Sequence, residues 1–368
     1  MKILSDLPLK PYTTFKIGGP ARYFAEIRSS SDLDQALAFA VSKRVELFVL
    51  GGGSNVLISD AGLDALVLHP TGAGIEAVEE GASQIAAWAQ AAEPWDNLVA
   101  YCVERGWWGV ENLSHIPGQT GAALVQNIGA YGQQISDVLV SAEAAEIPSG
   151  TTQLLLPADC GFAYRSSIFN SSHKGRYLIL SVTLRLSRPP RPNLSYPDVH
   201  KWFEERGVSQ PSLEEIRTAI ISIRDLKFPY PQEEKGGNAG SFFKNLVLNQ
   251  IEYDALVRRF QERFSLQVLH RLQTFRQRAS SPDAVRIPSA FLIEACGLKA
   301  RRMGRALVNE KQPLVLLNDG GATARDVLRL AGHIRRVVFA QTGLEIPIEP
   351  ELAGFSPTEL TEYLDCRP

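Results

Sequence analysis

Leu47-Phe-Val-Leu-Gly-Gly-Gly-Ser-Asn-Val-Leu57 decides the fold class, because an apolar run of strand length passes straight into three glycines and a small polar pair. Leu47–Leu50 is a short buried strand, and further strands are expected around Tyr23–Ile27 before it and at Ala65–Leu68 after it. Between the first two, Leu33, Ala36, Leu37, Ala40 and Val41 are spaced for one helical face, with Ser31 as the expected cap and Asp34 completing a capping box. Strand, helix and strand in that order give an α/β unit. The glycine turn then lies at a strand's carboxyl end, where ligands of such units bind. Successive backbone N–H groups in such a turn can cradle a phosphate. It is not a P-loop, since no Gly-Lys-Ser/Thr follows, nor is it Gly-x-Gly-x-x-Gly opening a helix; a plain turn accounts for it equally well.

Length and composition narrow the classes. A chain of 368 residues holds two or three ordinary domains, and 45% hydrophobic with 21% charged residues is the composition of a soluble globular protein. A net charge of −2 argues against non-specific nucleic-acid binding, so an anionic ligand needs local basic residues. Cys102, Cys160, Cys296 and Cys366 lie far apart without Cys-x-x-Cys or a partnering histidine pattern, which excludes the usual zinc spacings and fits a reducing compartment. No apolar run approaches the ~20 residues of a membrane span, and Met1-Lys-Ile-Leu-Ser5 leads into Asp6 without a signal-peptide core. A cytoplasmic protein with no membrane association and no metal is expected.

Further along, residues 81–93 are alanine-rich and ambiguous between helix and strand. Pro94 suits the first turn of a helix covering Leu98, Tyr101, Cys102 and Arg105, which Gly106 ends. Trp107 and Trp108 read as core or domain-contact residues, not as a cofactor box. A second glycine-rich region, Ile116–Gly132, offers Gly118, Gly121, Ala122, Ala123 and Gly129 as room for something flat or extended, with Gln126 and Asn127 as amide partners; tight helix–strand packing is the other reading. Strands are expected at 138–147, 151–156 and 177–186, with a Pro148-Ser-Gly150 turn. Arg165 sits among aromatics, either to meet a carboxylate or as a structural cation. The proline-rich 187–197 stretch reads as an extended loop bearing Tyr196. Ser212-Leu-Glu-Glu215 caps a helix with Leu213, Ile216, Ile220 and Ile223 on its apolar face, and Arg224 and Lys227 at its end. Beyond a boundary there, helices are expected near 250–266, at 289–296 and at 323–338, a strand at 314–317, and an extended 345–352. Gly236-Gly-Asn-Ala-Gly-Ser-Phe-Phe-Lys-Asn245 sets Ser241 beside two phenylalanines that demand burial, either as a held proton donor or as a glycine-rich turn entering a strand.

Seven motifs in one order resemble the UDP-N-acetylenolpyruvoylglucosamine reductase (UDP-N-acetylmuramate dehydrogenase) family. They are Thr14-Phe-Lys-Ile-Gly-Gly19, Leu50-Gly-Gly-Gly-Ser-Asn-Val-Leu57, Ile116-Pro-Gly118, Gln126-Asn-Ile-Gly-Ala-Tyr-Gly132, Tyr164-Arg-Ser-Ser-Ile-Phe169, Gly237-Asn-Ala-Gly-Ser-Phe-Phe-Lys-Asn245 and Glu349-Pro-Glu351. Leu194-Ser-Tyr-Pro-Asp198 is similar to the tyrosine loop of the family's type I branch. Leu246 stands where many relatives have proline, Ala122 and Ala123 replace small hydroxyl residues, and Ala353-Gly354 follows Glu351 where a basic residue is common. The resemblance implies a mixed α/β and α+β fold: an FAD-binding domain of the vanillyl-alcohol-oxidase type in two subdomains, plus a smaller α+β substrate domain. The implied boundaries are 1–68, with 345–368 packing back on it, then 69–227 and 228–344.

The implied activity is a step of peptidoglycan precursor synthesis. NADPH gives a hydride to a tightly bound FAD, and the hydride passes to the vinyl carbon of UDP-N-acetylglucosamine enolpyruvate. Arg165 and Glu351 match positions that stabilise the resulting enolate-like charge, the glutamate as its protonated acid, and Ser241 matches the proton donor. Gly51, Gly52, Gly53, Ser54, Asn55, Pro117, Gly118, Gly121, Gln126, Ile128 and Gly129, with Arg224 nearby, match flavin contacts. Tyr131, Tyr196, Lys227 and Asn245 match contacts to the nucleotide sugar. A monomer is implied. Two other readings use the same residues less fully: an FAD-dependent sugar or lactone oxidase, and a nucleotide-sugar-binding module without catalysis.

Overall fold

A strand whose neighbours run parallel to it on both sides is covered on both faces, and Leu63–Pro70 has the apolar run this requires: Leu66, Val67 and Leu68 are fully buried. In this computed structural model, which describes residues 1–79, 81–147, 149–227, 236–279 and 283–366, that strand lies between Pro20–Ile27 and Glu46–Val49, parallel to both. Ile3–Pro8 extends the sheet antiparallel to Pro20–Ile27. Pro148 of the expected turn and the expected boundary at 228 lie outside the described residues. The crossover helix Ser30–Lys43 covers one face with Leu33, Ala36 and Ala40. Its cap is Ser29, whose hydroxyl accepts the Asp32 N–H at 3.2 Å, and not the expected Ser31 with Asp34. Val41, expected on the apolar face, is exposed to solvent.

The same cluster runs on through Ala145, Ile147 and Leu178 into a second, antiparallel sheet. Its order is Thr152–Leu155, Leu139–Glu146, Tyr177–Ser187, Gln84–Gln90, Ile75–Glu79. The alanine-rich stretch is therefore a strand, because pairing on both edges overrides alanine's helix preference. Alanine's small size is used nonetheless. Gly121 donates its N–H to Ala91 O at 2.8 Å, and a Cβ on it would fall 2.7 Å from the Ala91 Cβ. Helices Trp95–Glu104 and Leu213–Lys227 pack here, the second capped as expected by Ser212 and Glu215. A helix the sequence reading missed, Pro197–Glu204, begins inside the supposed loop, with Pro197 at its first position.

These elements form one compact unit: Met1–Pro8, Pro20–Ser54, and the chain from Leu63 through Lys227. The second unit holds Leu9–Gly19, Asn55–Gly62 and the chain from Gly236 onward. Strand Glu351–Ala353 there pairs parallel with Val56–Ile58. The expected helices become Gln250–Arg263, with an unforeseen partner at Leu266–Gln277, and Ser289–Ala295. The long helix Ala324–Thr342 has a Thr323–Asp326 capping box, and the Asp60 carboxylate accepts its first N–H groups, Ala324 at 2.8 Å and Arg325 at 3.2 Å. The expected strand at 314–317 is Leu316–Asn318, and helix Pro357–Leu364 closes the chain.

Gly236-Gly237 runs between the Thr14 turn and Asn318 with no room for side chains: a Cβ on Gly236 collides with Asn318 O, and one on Gly237 with Thr14 O. Asn318 N–H donates to Gly237 O at 2.8 Å, and Thr14 Oγ1 to Asn238 O at 2.8 Å. Gly237→Ala forces those backbones apart and is expected to cost about 1–3 kcal/mol or more, read as a lowered thermal midpoint. An unaltered midpoint contradicts this packing.

Candidate active site

In the first unit the Glu46–Val49 strand ends with Leu50 N–H bonded to Leu68 O at 2.9 Å, and the chain then turns through Gly53 in the left-handed region, at φ +60. A Cβ on Gly52 would lie 2.8 Å from the Gly118 Cα, and one on Gly118, at φ +121, would lie 2.5 Å from Ser54 Oγ. The two glycine-rich regions are thus one structure, with their backbones in direct contact. Among the described residues, the N–H groups of Gly52, Ser54, Gly118 and Gln119 have no protein acceptor. Half-buried backbone donors on two glycine-bearing turns suit a diphosphate linkage, so these residues fit a dinucleotide cofactor. Gly121 is explained by its packing on Ala91. Ile128 points into the core, and its N–H reaches Ala123 O.

The short hairpin that follows begins at Gly129, whose carbonyl accepts from Arg165 Nη2 at 2.6 Å. Arg165 has φ +54, and its guanidinium lies 5.3 Å from the centre of the Tyr164 ring. At the hairpin tip Tyr131, φ +47, is buried and meets the half-exposed Tyr196 edge-on at 5.2 Å between ring centres. Burial pushes the Tyr131 hydroxyl up to about 12 against the opposing pull of Arg224, so it stays a neutral donor across the physiological range. Lys227 ion-pairs with Asp198, which follows Tyr196 by one proline. Tyr131, Tyr196, Arg224 and Lys227 are therefore gathered in one region of the first unit.

Arg224 also donates Nε–H to His115 O at 2.8 Å, gripping the residue two before Pro117. His115, at φ +61, gives its N–H to Asp96 at 2.5 Å, and Asp96 holds Arg217 bidentately at 2.7 and 2.9 Å. Burial favours the neutral acid at Asp96, but the guanidinium and the amide outweigh it and keep the carboxyl below its ordinary range.

In the second unit, Phe242 and Phe243 are buried and edge-on to each other at 5.4 Å, and Phe15 packs on Phe242. Phe242 N–H donates to Leu314 O at 2.7 Å, while Phe242 O accepts from Glu349 N–H at 3.0 Å. Ser241 bridges Val315 and Phe243 bridges Ile348. Continuing that antiparallel register sets Ser241 opposite Pro350, next to Glu351, whose N–H donates to Asn55 O at 3.0 Å. Ser241 and Glu351 thus sit on adjoining, pinned backbones. Asn245 uses its Oδ1 on the Ser289 N–H at 3.1 Å, fixing the start of a helix.

Residues 21–155 match the FAD binding domain family, and residues 230–353 match the UDP-N-acetylenolpyruvoylglucosamine reductase C-terminal domain. The UDP-N-acetylenolpyruvoylglucosamine reductase of Flavobacterium johnsoniae is 36% identical over 350 residues, covering 95% of this chain and 99% of the relative. That of Pseudomonas putida is 38% identical over 347 residues, covering 94% and 98%. The chain belongs to the UDP-N-acetylenolpyruvoylglucosamine reductase family. A crystal structure of the reductase from Thermus caldophilus shares the fold at a TM-score of 0.63 and 24% identity, over 96% of this chain and 98% of that one. The mixed fold with an FAD-binding domain, expected from the motifs, is the fold of the reductase family. The FAD match spans both glycine turns, and the C-terminal match spans Ser241, Asn245 and Glu351.

The sequence reading missed Asp96, Arg217 and Asp198. Arg217 and Arg224 stand two helical turns apart on one face, and Asp198 lies within the tyrosine motif, so both carried a signal; Asp96 carried none, since its partners are remote in the chain. Asp96→Asn should destabilise the fold by about 1–3 kcal/mol at pH 7. A depressed carboxyl stabilises above its unfolded value and loses that contribution as pH falls through the folded one, so the gap to wild type should narrow below about pH 4. Denaturant unfolding across pH measures this, and a gap independent of pH contradicts the clamp.

Proposed function

We propose that this chain reduces UDP-N-acetylglucosamine enolpyruvate to UDP-N-acetylmuramate, using FAD and NADPH, in the cytoplasm and as a monomer. What carries the reading is likeness to the reductases over nearly the whole chain, together with an FAD binding domain match over the paired glycine turns. Among the described residues no helix is long and apolar enough to cross a membrane.

The 51–55 and 117–121 turns, with Gln126, Ile128, Gly129 and Arg224 nearby, would hold FAD, which when bound would supply the hydride taken from NADPH. Residues 1–68 and 69–227 are assigned to the flavin, and 228–344 to the nucleotide sugar. Lys227 offers a point charge to the diphosphate of the sugar nucleotide, and Asp198 holds that charge until an anion competes for it. Tyr131 and Tyr196 present flat faces with polar tips, and among the described residues the Asn245 amide N–H₂ is left to donate.

Hydride addition at the vinyl carbon leaves negative charge on the neighbouring carbon and its carboxylate. Arg165 and Glu351 stabilise that charge, and donors fixed in advance do so without reorganising. Arg165 is fixed by Gly129 O and Tyr164, and Glu351 by its place at the head of a paired strand. Ser241 delivers the final proton. Its backbone is held on one side by Val315 and, one residue on, by Leu314 and Glu349, so the hydroxyl is aimed by packing and not by a loose loop.

Anaerobic stopped-flow tests this with the yellow protein mixed first with NADPH and then with the enolpyruvyl substrate. Ser241→Ala should keep NADPH-driven flavin bleaching while reoxidation by the substrate slows by about 10²–10⁴. Normal reoxidation in that variant removes Ser241 from the mechanism, and a wild-type protein that the substrate does not reoxidise removes the activity.

A further inference from the structure

The turn Glu111–Leu113 carries a side chain for which the chemistry above has no use. Asn112 is fully buried, and its Nδ2 donates to two backbone carbonyls, Tyr131 O and Asn193 O, each at 2.8 Å. An amide oxygen in that place would face both carbonyl oxygens, so these two bonds fix which way the group points. Its Oδ1 is then buried without a partner among the described residues, a loss of stability that the fold tolerates. A core position that keeps such a group is spending stability on orientation.

The carbonyls it joins belong to segments remote in sequence. Tyr131 is at the tip of the Gly129–Gln134 hairpin, and Asn193 lies in the proline-rich stretch that leads to Tyr196. The hairpin is held from beneath as well, since Asn112 N–H donates to Gln133 Oε1 at 2.9 Å and Gln133 Nε2 to Glu111 Oε1 at 2.8 Å. Asn193 completes the link from its own side. Its Nδ2 donates to Gly132 O at 2.8 Å, and its Oδ1 accepts from the Ser195 hydroxyl at 2.6 Å. The chain is therefore fastened to the hairpin immediately before Tyr196, whose ring abuts Tyr131 while staying 40% exposed.

We infer that Asn112 is a positioning residue for substrate binding: its two donated hydrogen bonds, with Asn193, fix the root of the Tyr196 segment so that Tyr131 and Tyr196 meet the nucleotide sugar as a pair. The inference rests on the proposed reading of those tyrosines as substrate contacts.

Asn112→Asp keeps the shape and removes both donors, setting a carboxylate oxygen against two carbonyls. Asn193→Ala loosens the same root from the half-exposed side. Each should raise KM for the enolpyruvyl substrate about tenfold with kcat within about twofold. Each should also speed amide hydrogen exchange across residues 194–200. In a Tyr196→Ala background the KM increments should vanish, because the residue through which they act is gone. Increments that persist there, a KM unmoved in both variants, or a Tyr196→Ala protein that binds as wild type overturns the inference. If Asn112→Asp does not fold, Asn193→Ala decides alone. A wild type that does not turn the substrate over sinks the functional reading instead, and the exchange measurement still shows whether the root is fastened.

Discussion

Two turns can press backbone to backbone where no Cβ stands between them, and the meeting of Gly52 with Gly118 is the constraint on which the first unit depends. It brings a turn at the end of a parallel strand against a turn at the start of a short helix, and leaves backbone N–H donors on both. Much of what fixes the approach to the second turn is recruited from elsewhere: Asp96 from one helix and Arg224 from another both hold His115, and Arg217 in turn holds Asp96. His115, one of the residues in the left-handed region, is bonded through its N–H, its carbonyl and its ring, as expected where surroundings must over-determine such a backbone.

The second unit uses the same economy differently. Gly236 and Gly237 let a ribbon of chain slide between Thr14 and Asn318, and the paired phenylalanines that follow anchor it. Ser241 sits between the flexible residues and the rigid ones. Its precision comes from Phe242, whose N–H and C=O are bonded by Leu314 and Glu349 on the segments either side.

Local pattern made most of this legible. The helix with Ser212 and Glu215 at its head declared itself through cap and periodicity, and the strands at 47–50, 65–68 and 177–186 through apolar runs. What stayed hidden needed partners from far away. Alanine at 84–90 favours helix until two strands pair with it, and Pro197 reads as loop until the helix it starts is packed by Val199 and Phe203. The glycines at 51–53 and 118 announced turns but not that the turns adjoin. Asn112 looked like any asparagine in a polar stretch, because its meaning lies in two carbonyls supplied by residues 131 and 193.

Because Leu9–Gly19 and Asn55–Gly62 belong to the second unit, that unit is discontinuous along the chain. During synthesis Phe15, Leu57 and Ile58, all fully buried in the finished protein, emerge early and wait for partners that leave the ribosome only after residue 236. The Val56–Ile58 edge stays unpaired throughout that interval, an opening for misassociation that a nascent-chain binder could shield. A fragment cut to start at the glycine ribbon would lack the strand that Glu351 pairs with and the carboxylate of Asp60 that holds the long helix, so excising the C-terminal stretch does not excise a domain.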